Sequence, residues 1–384
     1  MTKSILHLVS YYTGQRLYSN LISKLDNLGI RQQVFIPVRT KREIGKYKVE
    51  NLKHVHYYYS YVLKPYHRLL YFTKIKKTFN TLKANIDPRE VQLSHAHSLF
   101  SDGGIAYKLK QYYDVPYIVA VRNTDLNGFL KYMPHLRPFG LKILREASVI
   151  IFINPSYKDQ LFNKYIPDSY KNDLLKKSVC IPNGIDDFWH ECKGGGKNIH
   201  AEYLKLLYVG SFIKRKNVCL TIQTALRLNE KYNVKLVLVG GRNNNRRKEY
   251  NKILLAIENA KQNGLQIEMP GHVEDRKTLQ QYYRKADVFL MPSYNETFGL
   301  VYIEAISQGT PIIYTKDDGI DGLFKEGKVG YGITSFSEEE VADKVEKILE
   351  NYDKISTNCT KAIQPYNWEG IAQQYHTIYN IYMQ

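Results

Sequence analysis

One stretch, residues 291–313 (MPSYNETFGLVYIEAISQGTPII), constrains the fold more than any other part of the sequence. Its apolar lead-in, residues 288–291, predicts a buried strand that Pro292 ends. A helix is predicted to begin near Leu300 and to end at Gly309, where the backbone can take a left-handed conformation. A second strand follows at once. The pattern therefore predicts a strand–loop–helix–strand unit.

Two carboxylates, Glu296 and Glu304, lie eight residues apart in this unit. Glu296 precedes the predicted helix and Glu304 falls in its first turns, so both lie near the helix end whose unpaired amides bind anions such as phosphate. Because a carboxylate repels phosphate, we expect each glutamate to bind sugar or ribose hydroxyls beside it, and a charged acceptor can take two O–H donors. Two solvated glutamates are the alternative.

The spacing E-x7-E, with Phe298-Gly299-Leu300 inside it and A-x3-G-x-P after it, resembles the donor site of glycosyltransferase family 4. Members of that family are retaining enzymes of the GT-B architecture. The resemblance implies an α/β fold with two Rossmann-like, doubly wound domains facing each other across a cleft. It also implies donor contacts from Phe298, Gly299 and Leu300, ribose binding by Glu304, and binding of a donor-sugar hydroxyl by Glu296.

The length of 384 residues favours two domains, each with its own core. We place an N-terminal acceptor-side domain at residues 1–190, a linker at 191–203 and a nucleotide-sugar-binding domain at 204–364. A C-terminal helix at 365–384 would cross back onto the first domain, as the resemblance implies. Three consecutive glycines at 194–196 predict that the linker is flexible.

The charge is unevenly distributed along the chain. Residues 1–190 hold 29 Lys and Arg against 14 Asp and Glu, a net charge of +15, and the remaining residues contribute only +3. The basic half should therefore face something anionic, either nucleic acid or an anionic membrane that carries a lipid-linked substrate. No segment is long enough to span a membrane, and the N-terminus is predicted to be a strand and not a signal peptide. The four cysteines have no metal-ligand spacing, and reduced cytosolic thiols are the default. We therefore expect a cytoplasmic protein, peripheral on the inner face of the membrane.

Residues 64–83 are predicted to form one helix, in which lysines including Lys74, Lys76 and Lys77 accompany an apolar stripe. That stripe consists of Leu69, Phe72, Ile75, Phe79 and Leu82. Packing of the stripe into the core is favoured over contact with a membrane.

The first domain opens as a βαβ unit with Gly14 in its first turn, where a doubly wound sheet binds ligands, although plain turn chemistry explains this glycine equally well. His95 and His97 resemble a metal pair, but we expect the strand or turn to aim them apart, and no further ligand completes a site. No metal site is predicted. The resemblance implies that His97 lies near the acceptor, and a structural histidine is the alternative.

Arg122, Asn123 and Asp125 follow the strand at residues 117–121 and are predicted to form an acceptor-facing edge. Many members of the family have a histidine where this chain has Arg122, so that histidine's role is not carried over. An arginine here can pair with a phosphate or with an acidic acceptor.

The second domain begins with a strand at residues 205–209. Gly210, which follows this strand, is expected to bind the donor, and the cations Arg215 and Lys216 come next before a helix. Two cations beside a helix N-terminus form an anion cradle, and the resemblance assigns them to the donor diphosphate. Together with Glu296, they are the predicted catalytic residues. His272 and Val273 are implied as contacts to the nucleotide base. Arg242 is predicted to lie nearest the cleft after another strand. The turn Asp317-Asp318-Gly319 is not the D-x-D of metal-dependent glycosyltransferases.

The predicted reaction is retaining, metal-independent glycosyl transfer from a nucleotide-diphosphate-sugar to a saccharide or lipid-linked acceptor. Assembly of a bacterial capsule, O-antigen or exopolysaccharide is the expected setting. No cofactor is expected, and we see no placed lysine for the Schiff base of a cofactor-dependent phosphorylase. A sugar-nucleotide epimerase of the same fold and a basic nucleic-acid-binding protein are the alternatives. The nucleotide, sugar, acceptor and linkage stay open.

Overall fold

The computed structural model describes residues 4–199, 202–241 and 247–382. The chain divides into two compact units. Unit 1 holds residues up to Gly184 together with those from Trp368 onward, and unit 2 runs from Ile185 to Asn367. Among the described helices, none is long and apolar enough to cross a membrane.

Unit 1 is built on seven parallel strands in the order β3-β2-β1-β4-β5-β6-β7. The strands are β1 Ser4–Leu8, β2 Gln32–Val38, β3 Val55–Tyr61, β4 Val91–Ala96, β5 Tyr117–Val121, β6 Val149–Phe152 and β7 Ser178–Cys180. The α-helices between them are α1 Leu17–Asn27, α2 Tyr71–Asn85, α3 Gly103–Tyr113, α4 Arg137–Glu146, α5 Pro155–Lys164 and α6 Asp168–Lys176. Every residue of β1, β2, β5 and β6 is buried, as expected for a parallel sheet covered on both faces.

Unit 2 is built on six parallel strands in the order β10-β9-β8-β11-β12-β13. The strands are β8 Leu204–Val209, β9 Val234–Val239, β10 Gln266–Gly271, β11 Val288–Leu290, β12 Ile312–Thr315 and β13 Gly330–Ile333. The α-helices are α7 Asp187–Glu191, α8 Val218–Asn229, α9 Arg247–Gln262, α10 Arg276–Lys285, α11 Leu300–Ser307, α12 Glu338–Glu350 and α13 Tyr352–Ala362.

Both sheets reverse their strand order at one point, between β1 and β4 in unit 1 and between β8 and β11 in unit 2. This is the order of a doubly wound α/β fold, and the prediction of two such units is confirmed. In open sheets of this kind, ligands bind outside the carboxyl ends of the strands where the order reverses. The fold therefore points to the loops after β8 and β11, and after β1 and β4.

The last helix, α14 (Trp368–Tyr382), belongs to unit 1 although unit 2 precedes it in the chain. Its buried side chains, including Trp368, Tyr375 and Tyr379, share a hydrophobic core with residues of α1 such as Leu21. A Cβ on Gly184 would lie 2.6 Å from the Trp368 ring, so the chain passes this ring closely. The predicted return of the C-terminal helix to the first unit is confirmed.

The prediction of a flexible linker is wrong for residues 192–199. The Gly194 N–H donates to Ser307 O over 2.9 Å, and a Cβ at Gly194 would lie 2.8 Å from Gln308 O. The Lys197 ammonium donates to Tyr283 O, Ala286 O and Thr310 Oγ1 over 2.9, 2.7 and 2.6 Å. Gly194 is needed because the segment packs against the end of α11 with no room for a side chain there, whereas a Cβ at Gly195 would meet nothing within 4 Å.

The predicted start of the single helix over residues 64–83 is also wrong. A 3-10 turn, Pro65–Arg68, precedes α2, which begins only at Tyr71. Three members of the predicted stripe are buried as expected, but Leu69 and Phe72 are 82% and 57% exposed. Lys74 is buried instead and donates to Ser101 Oγ over 2.9 Å.

Candidate functional site

In unit 2, a basic turn lies in the loop after β8, at the point where the strand order reverses. Lys214–Lys216 form a 3-10 turn, and Asn217 then begins α8 with a left-handed φ of 51°. Asparagine tolerates this left-handed conformation better than most residues. The turn therefore presents its cations at the carboxyl end of β8.

The loop after β11 brings a carboxylate to these cations. Lys216 Nζ forms an ion pair with Glu296 Oε2, and Arg215 Nη1 lies 3.6 Å from the same oxygen. Arg215 also donates to Asn295 O over 3.1 Å. The Glu296 and Lys216 side chains are only 10% and 13% exposed, whereas that of Arg215 is 41% exposed. The structure thus unites the three residues predicted to be catalytic.

Glu296 is held in place by a turn on the next loop of the sheet. Its N–H donates to Asp318 Oδ2 over 2.5 Å, and its own Oε1 accepts from Thr297 N over 3.1 Å. A Cβ on Gly319, where φ is +51°, would lie 3.2 Å from Glu296 Cβ. The sequence analysis noted this turn as polar but missed Asp318 as a partner, because the contact spans 22 residues.

Gly299 begins α11 with a φ of +78°, and a Cβ there would lie 2.4 Å from the Tyr302 ring. Glycine is therefore required by both backbone conformation and space. Leu300, the first helical residue, is partly exposed, but Phe298 is 2% exposed and its ring lies 6.3 Å from that of Tyr366. The ring of Phe298 is thus part of the core, which leaves its backbone as the group available for a donor contact.

Glu304 lies on α11, with its carboxyl group in contact with α10. Burial raises the pKa of Glu304 to about 7, while the hydroxyl of Tyr283, which donates to Oε2 over 3.1 Å, lowers it. Asp186 raises this pKa further and Arg276 lowers it; these two residues pair with each other at 2.8 Å. A carboxyl group with this pKa gains or loses its proton near neutral pH.

Three glycines form the carboxyl edge of the neighbouring strands β8, β9 and β10. The Gly240 N–H donates to Gly271 O over 2.8 Å, and a Cβ at Gly240, where φ is +136°, would lie 1.9 Å from Gly210 O. Gly210, predicted to bind the donor, therefore lies on a surface of bare backbone formed by Gly210, Gly240 and Gly271, which we call the glycine floor. A ligand can approach such a floor closely.

His272 and Val273 follow this floor. His272 is exposed, with Nε2 3.7 Å from Glu274 Oε1, and Val273 is partly exposed. Their backbone groups are thus near the glycine floor, as the predicted contact with a nucleotide base requires. Arg242, predicted to lie nearest the cleft, is outside the described residues.

In unit 1, Gly14 ends a 3-10 turn after β1 and is exposed. A Cβ at this position would meet nothing within 4 Å, and its φ is not positive. Neither space nor conformation therefore requires a glycine here, unlike at Gly240 and Gly299.

The reasons for excluding a metal at His95 and His97 are wrong. Their rings stack at 3.8 Å on one face of the sheet, and His7 from β1 places Nδ1 3.0 Å from His97 Nε2. The three side chains are the group of potential metal ligands found close together among the described residues. Alternation puts positions i and i+2 on the same face, which the prediction overlooked.

Burial lowers the pKa of His7 to about 3 and those of His95 and His97 well below their usual range. His95 Nδ1 lies 2.7 Å from the Tyr379 hydroxyl of α14. These lowered pKa values favour neutral imidazoles, and the ligand atoms of the three histidines all lie within 4.8 Å of one another. His97, predicted to lie near the acceptor, is 1% exposed.

The predicted acceptor-facing edge after β5 is mostly enclosed. Arg122 donates from Nε to His97 O over 3.1 Å and from Nη1 to Asn183 Oδ1 over 3.3 Å. Asn123 donates to the Tyr157 hydroxyl over 2.9 Å. Asp125 is fully buried, and its carboxylate accepts the N–H groups of Leu99, Phe100 and Arg122. These side chains order the edge, and the Asp125 carboxylate is engaged by three backbone N–H groups.

Asp102 was missed by the sequence analysis. It lies before α3, and its Oδ1 accepts from Ser10 N and Ser10 Oγ over 2.9 and 2.5 Å, while Oδ2 accepts from Ser98 Oγ over 2.7 Å. Burial raises the pKa of Asp102 to about 6, and these hydrogen bonds lower it. The carboxylate joins the loops after β1 and β4, at the reversal point of this sheet.

The family described as "Glycosyl transferases group 1" matches residues 196–364. D-inositol 3-phosphate glycosyltransferase of Corynebacterium urealyticum is 31% identical over 308 residues, which cover 75% of this chain and 70% of that protein. The capsular polysaccharide biosynthesis glycosyltransferase CapM of Staphylococcus aureus is 25% identical over 247 residues, covering 60% of this chain and 62% of CapM.

Two solved structures are similar over the full length. Sucrose-phosphate synthase of Thermosynechococcus elongatus has a TM-score of 0.76 and 19% identity, covering 99% of both chains. HepE of Anabaena, solved in complex with UDP, has a TM-score of 0.74 and 16% identity, covering 99% of this chain and all of that one. These likenesses confirm the predicted GT-B fold.

Proposed function

Because the chain belongs to the group 1 glycosyl transferases, we propose that it moves a sugar from a nucleotide-diphosphate-sugar to a saccharide or lipid-linked acceptor, retaining the configuration of the anomeric carbon. The glycosyltransferase activity is the premise. The proposal concerns the donor, the stereochemistry, the residues that act and the place of action.

One observation carries the proposal: two cations from the loop after β8 meet Glu296 at the reversal point of the unit 2 sheet. The same loop as Glu296 leads to Gly299 and the N-terminus of α11. Two cations and free helix amides around one point form a binding site for a diphosphate. The glycine floor at Gly210 gives the nucleotide room to approach the backbone.

In this scheme Arg215 and Lys216 stabilise the negative charge that develops on the departing diphosphate. Such stabilisation acts mainly in the transition state and raises the turnover rate. The ion pair with Glu296 holds the Lys216 ammonium in place before the donor arrives. A divalent ion would then be unnecessary, so activity should persist in EDTA. Loss of activity in EDTA with rescue by Mn²⁺ would contradict this part of the scheme.

The two glutamates have separate tasks. Glu304, on the helix, accepts the ribose hydroxyls, and Glu296 accepts a hydroxyl of the donor sugar while it anchors Lys216. The departing phosphate itself accepts the proton of the acceptor hydroxyl, so the scheme requires no dedicated base. Arg122 and Asn123 order the acceptor side of unit 1 through their hydrogen bonds.

The expected setting is the inner face of a bacterial membrane, during synthesis of a surface polysaccharide. Two observations support it: the similarity to CapM, a glycosyltransferase named for capsular polysaccharide biosynthesis, and the net charge of +15 on residues 1–190. An anionic bilayer attracts a basic surface through its own potential.

Product analysis tests the proposal. Incubation with a panel of UDP-, GDP- and ADP-sugars and candidate acceptors should yield a glycoside whose anomeric configuration, read by NMR, equals that of the donor. An inverted product would contradict retention. Conversion of the sugar without any acceptor would indicate the epimerase alternative, and a salt-dependent gel shift with RNA or DNA would favour the nucleic-acid alternative.

A further inference from the structure

Four large apolar side chains project from unit 1 immediately before and at the start of α2. Tyr66, Leu69, Leu70 and Phe72 are 46%, 82%, 54% and 57% exposed, and we call them the apolar turn. Single exposed hydrophobic residues are ordinary, but four within seven positions form a patch that calls for an explanation.

The fold explains why these side chains face outward. Helix α2 buries Tyr71, Ile75, Phe79 and Leu82 against the unit, which fixes its inner face. Phe72 follows Tyr71 and so lies on another face, with its ring 5.3 Å from that of Phe139 on α4. Leu69 and Leu70 lie in the link between the 3-10 turn and α2. The core of unit 1 is therefore complete without the apolar turn.

Cations surround the apolar turn, and acidic residues are absent from this part of the sequence. Residues 51–86 contain seven Lys and Arg and no Asp or Glu. Of these cations, Arg68, Lys76 and Lys77 are exposed beside the apolar turn, whereas Lys74 is buried. Burial lowers the pKa of His67, and neighbouring cations, Lys77 foremost, lower it further.

We propose that the apolar turn is a shallow membrane anchor, which inserts Leu69, Leu70 and Phe72 below the headgroups of an anionic bilayer while Arg68, Lys76 and Lys77 bind lipid phosphates. A short apolar insertion or a basic patch alone gives weak attachment, and the two together give stable attachment. The absence of acidic residues favours anionic lipid over a neutral or basic protein partner.

This anchor deepens the proposed function and rests on it for its purpose, since it would hold the enzyme beside a lipid-linked acceptor. It differs from purely electrostatic attachment in one measurable respect. Salt screens the cations, with a Debye length of roughly 3 Å near 1 M, but does not weaken apolar insertion. Part of the binding should therefore survive high salt.

Co-sedimentation of the full chain with vesicles tests the anchor. Wild type should bind phosphatidylcholine vesicles that contain 30% phosphatidylglycerol and should bind pure phosphatidylcholine weakly. The triple variant Leu69→Ser, Leu70→Ser, Phe72→Ser should lose at least tenfold in partitioning at low salt and all residual binding at 1 M salt. Lys76→Gln with Lys77→Gln should lose binding mainly at low salt. Leu255→Ser, at a 65% exposed leucine on α9, is the matched control and should bind like wild type.

Insertion is measured with a tryptophan probe. The chain has two tryptophans, Trp189 and Trp368, which are 2% and 3% exposed, so added vesicles should change their emission little. Phe72→Trp should show a blue shift with anionic vesicles and quenching by brominated acyl chains. Leu255→Trp should show neither. No blue shift at position 72, or equal sedimentation of the triple variant and wild type, would overturn the anchor.

Two further outcomes have defined meanings. A concentration-dependent dimer in light scattering that the triple variant abolishes, without vesicle binding, would overturn the anchor in favour of a second copy of this chain. Transfer to a water-soluble acceptor should be equal in wild type and triple variant. If wild type transfers sugar to the soluble acceptor but does not bind vesicles, the anchor alone is rejected. If wild type binds vesicles but transfers no sugar, the proposed function alone is rejected.

Discussion

At the scale of single residues, Glu296 is the group on which the donor site depends most. Its carboxylate pairs with Arg215 and Lys216 from the loop after β8, and its N–H donates to Asp318. Glu296→Gln keeps the size but removes the charge that holds Lys216. We expect turnover to fall by one to three powers of ten, about 1.4–4 kcal/mol in the activation free energy.

Steady-state kinetics of Glu296→Gln checks this expectation, with thermal unfolding as the control for folding. The matched control variant is Lys214→Met, which alters an exposed cation in the same basic turn without touching Glu296. Full activity of Glu296→Gln would remove Glu296 from the reaction.

Glu304 makes the donor site sensitive to pH. Its pKa of about 7 in the folded unit exceeds the ordinary value of 4.5, so ionisation costs stability: the contribution is fully present below pH 4.5 and is lost as the pH rises to about 7. Donor binding should show the opposite trend, because only the carboxylate accepts two ribose hydroxyls. We expect the KM for the donor to fall as the pH rises through 7.

The pH profile of Glu304→Gln is the direct comparison, because glutamine keeps the size and cannot ionise. Its KM should be higher than that of wild type above pH 7 and flat across the range. A wild-type profile that is equally flat would mean that Glu304 does not touch the donor.

Local spacing made the donor residues predictable, whereas their supports were not. Glu296 and Glu304 share one short unit, and Arg215 and Lys216 stand next to each other, so the sequence displays them directly. Asp318, Asp102 and His7 act across 22, 92 and 90 residues respectively. No local pattern marks such partners, and only the folded sheet brings them together.

At the scale of elements, the start of α11 depends on Gly299. An alanine there would have to adopt a φ near +78° with its Cβ 2.4 Å from the Tyr302 ring. A strained backbone of this kind costs about 1–3 kcal/mol. We expect Gly299→Ala to lower the unfolding midpoint and to weaken donor binding more than Gly14→Ala, whose Cβ would meet open space. Equal effects of the two variants would contradict this account of α11.

The segment at residues 192–199 near the start of unit 2, here called the connector, is held by the buried amine of Lys197. Burial lowers its pKa to about 7, and its three acceptors lie in the last turn of α10, directly after α10 and before β12. Lys197→Met keeps the apolar stem but leaves Tyr283 O and Ala286 O with one bond fewer. We expect a loss of about 1–3 kcal/mol in the free energy of unfolding.

Urea unfolding of Lys197→Met measures this loss, and Lys354→Met, at an exposed lysine of α13, is the matched control. If both variants unfolded at the wild-type urea concentration, the connector would be no more than the flexible linker that three glycines predict. The glycine run misled the prediction because close packing and flexibility both select glycine.

Buried, apolar strands such as β5 were predicted closely, whereas strands and helices with mixed apolar and polar patterns were not. The edge strand β3, Val55–Tyr61, was missed because its histidines and tyrosines are mostly half-buried and give no clear apolar run. The start of α2 was placed too early because Leu69 and Phe72 continue a helical spacing that the chain does not bury. Apolar side chains that are exposed for a partner outside the fold show the same spacing in the sequence as apolar side chains that are buried in the core.

At the scale of the whole molecule, the resemblance to glycosyltransferase family 4 implied two doubly wound sheets, and the observed strand order of both places the ligand loops at known edges. The sequence also showed that the basic charge lies in residues 1–190. It did not show that the basic region around α2 carries an exposed apolar turn, because burial is decided by the complete fold.

The central claim is that Arg215 and Lys216 bind the diphosphate of a nucleotide-sugar. Thermal unfolding of wild type with UDP-, GDP- and ADP-sugars tests it most directly, because a ligand at one hundred times its Kd stabilises the folded state by about 2.7 kcal/mol. We predict that at least one nucleotide-sugar raises the wild-type midpoint and that Arg215→Ala with Lys216→Met abolishes the shift, while Lys214→Met preserves it. A shift of equal size in the double variant would contradict the claim, and so would the absence of a shift with every nucleotide-sugar in wild type.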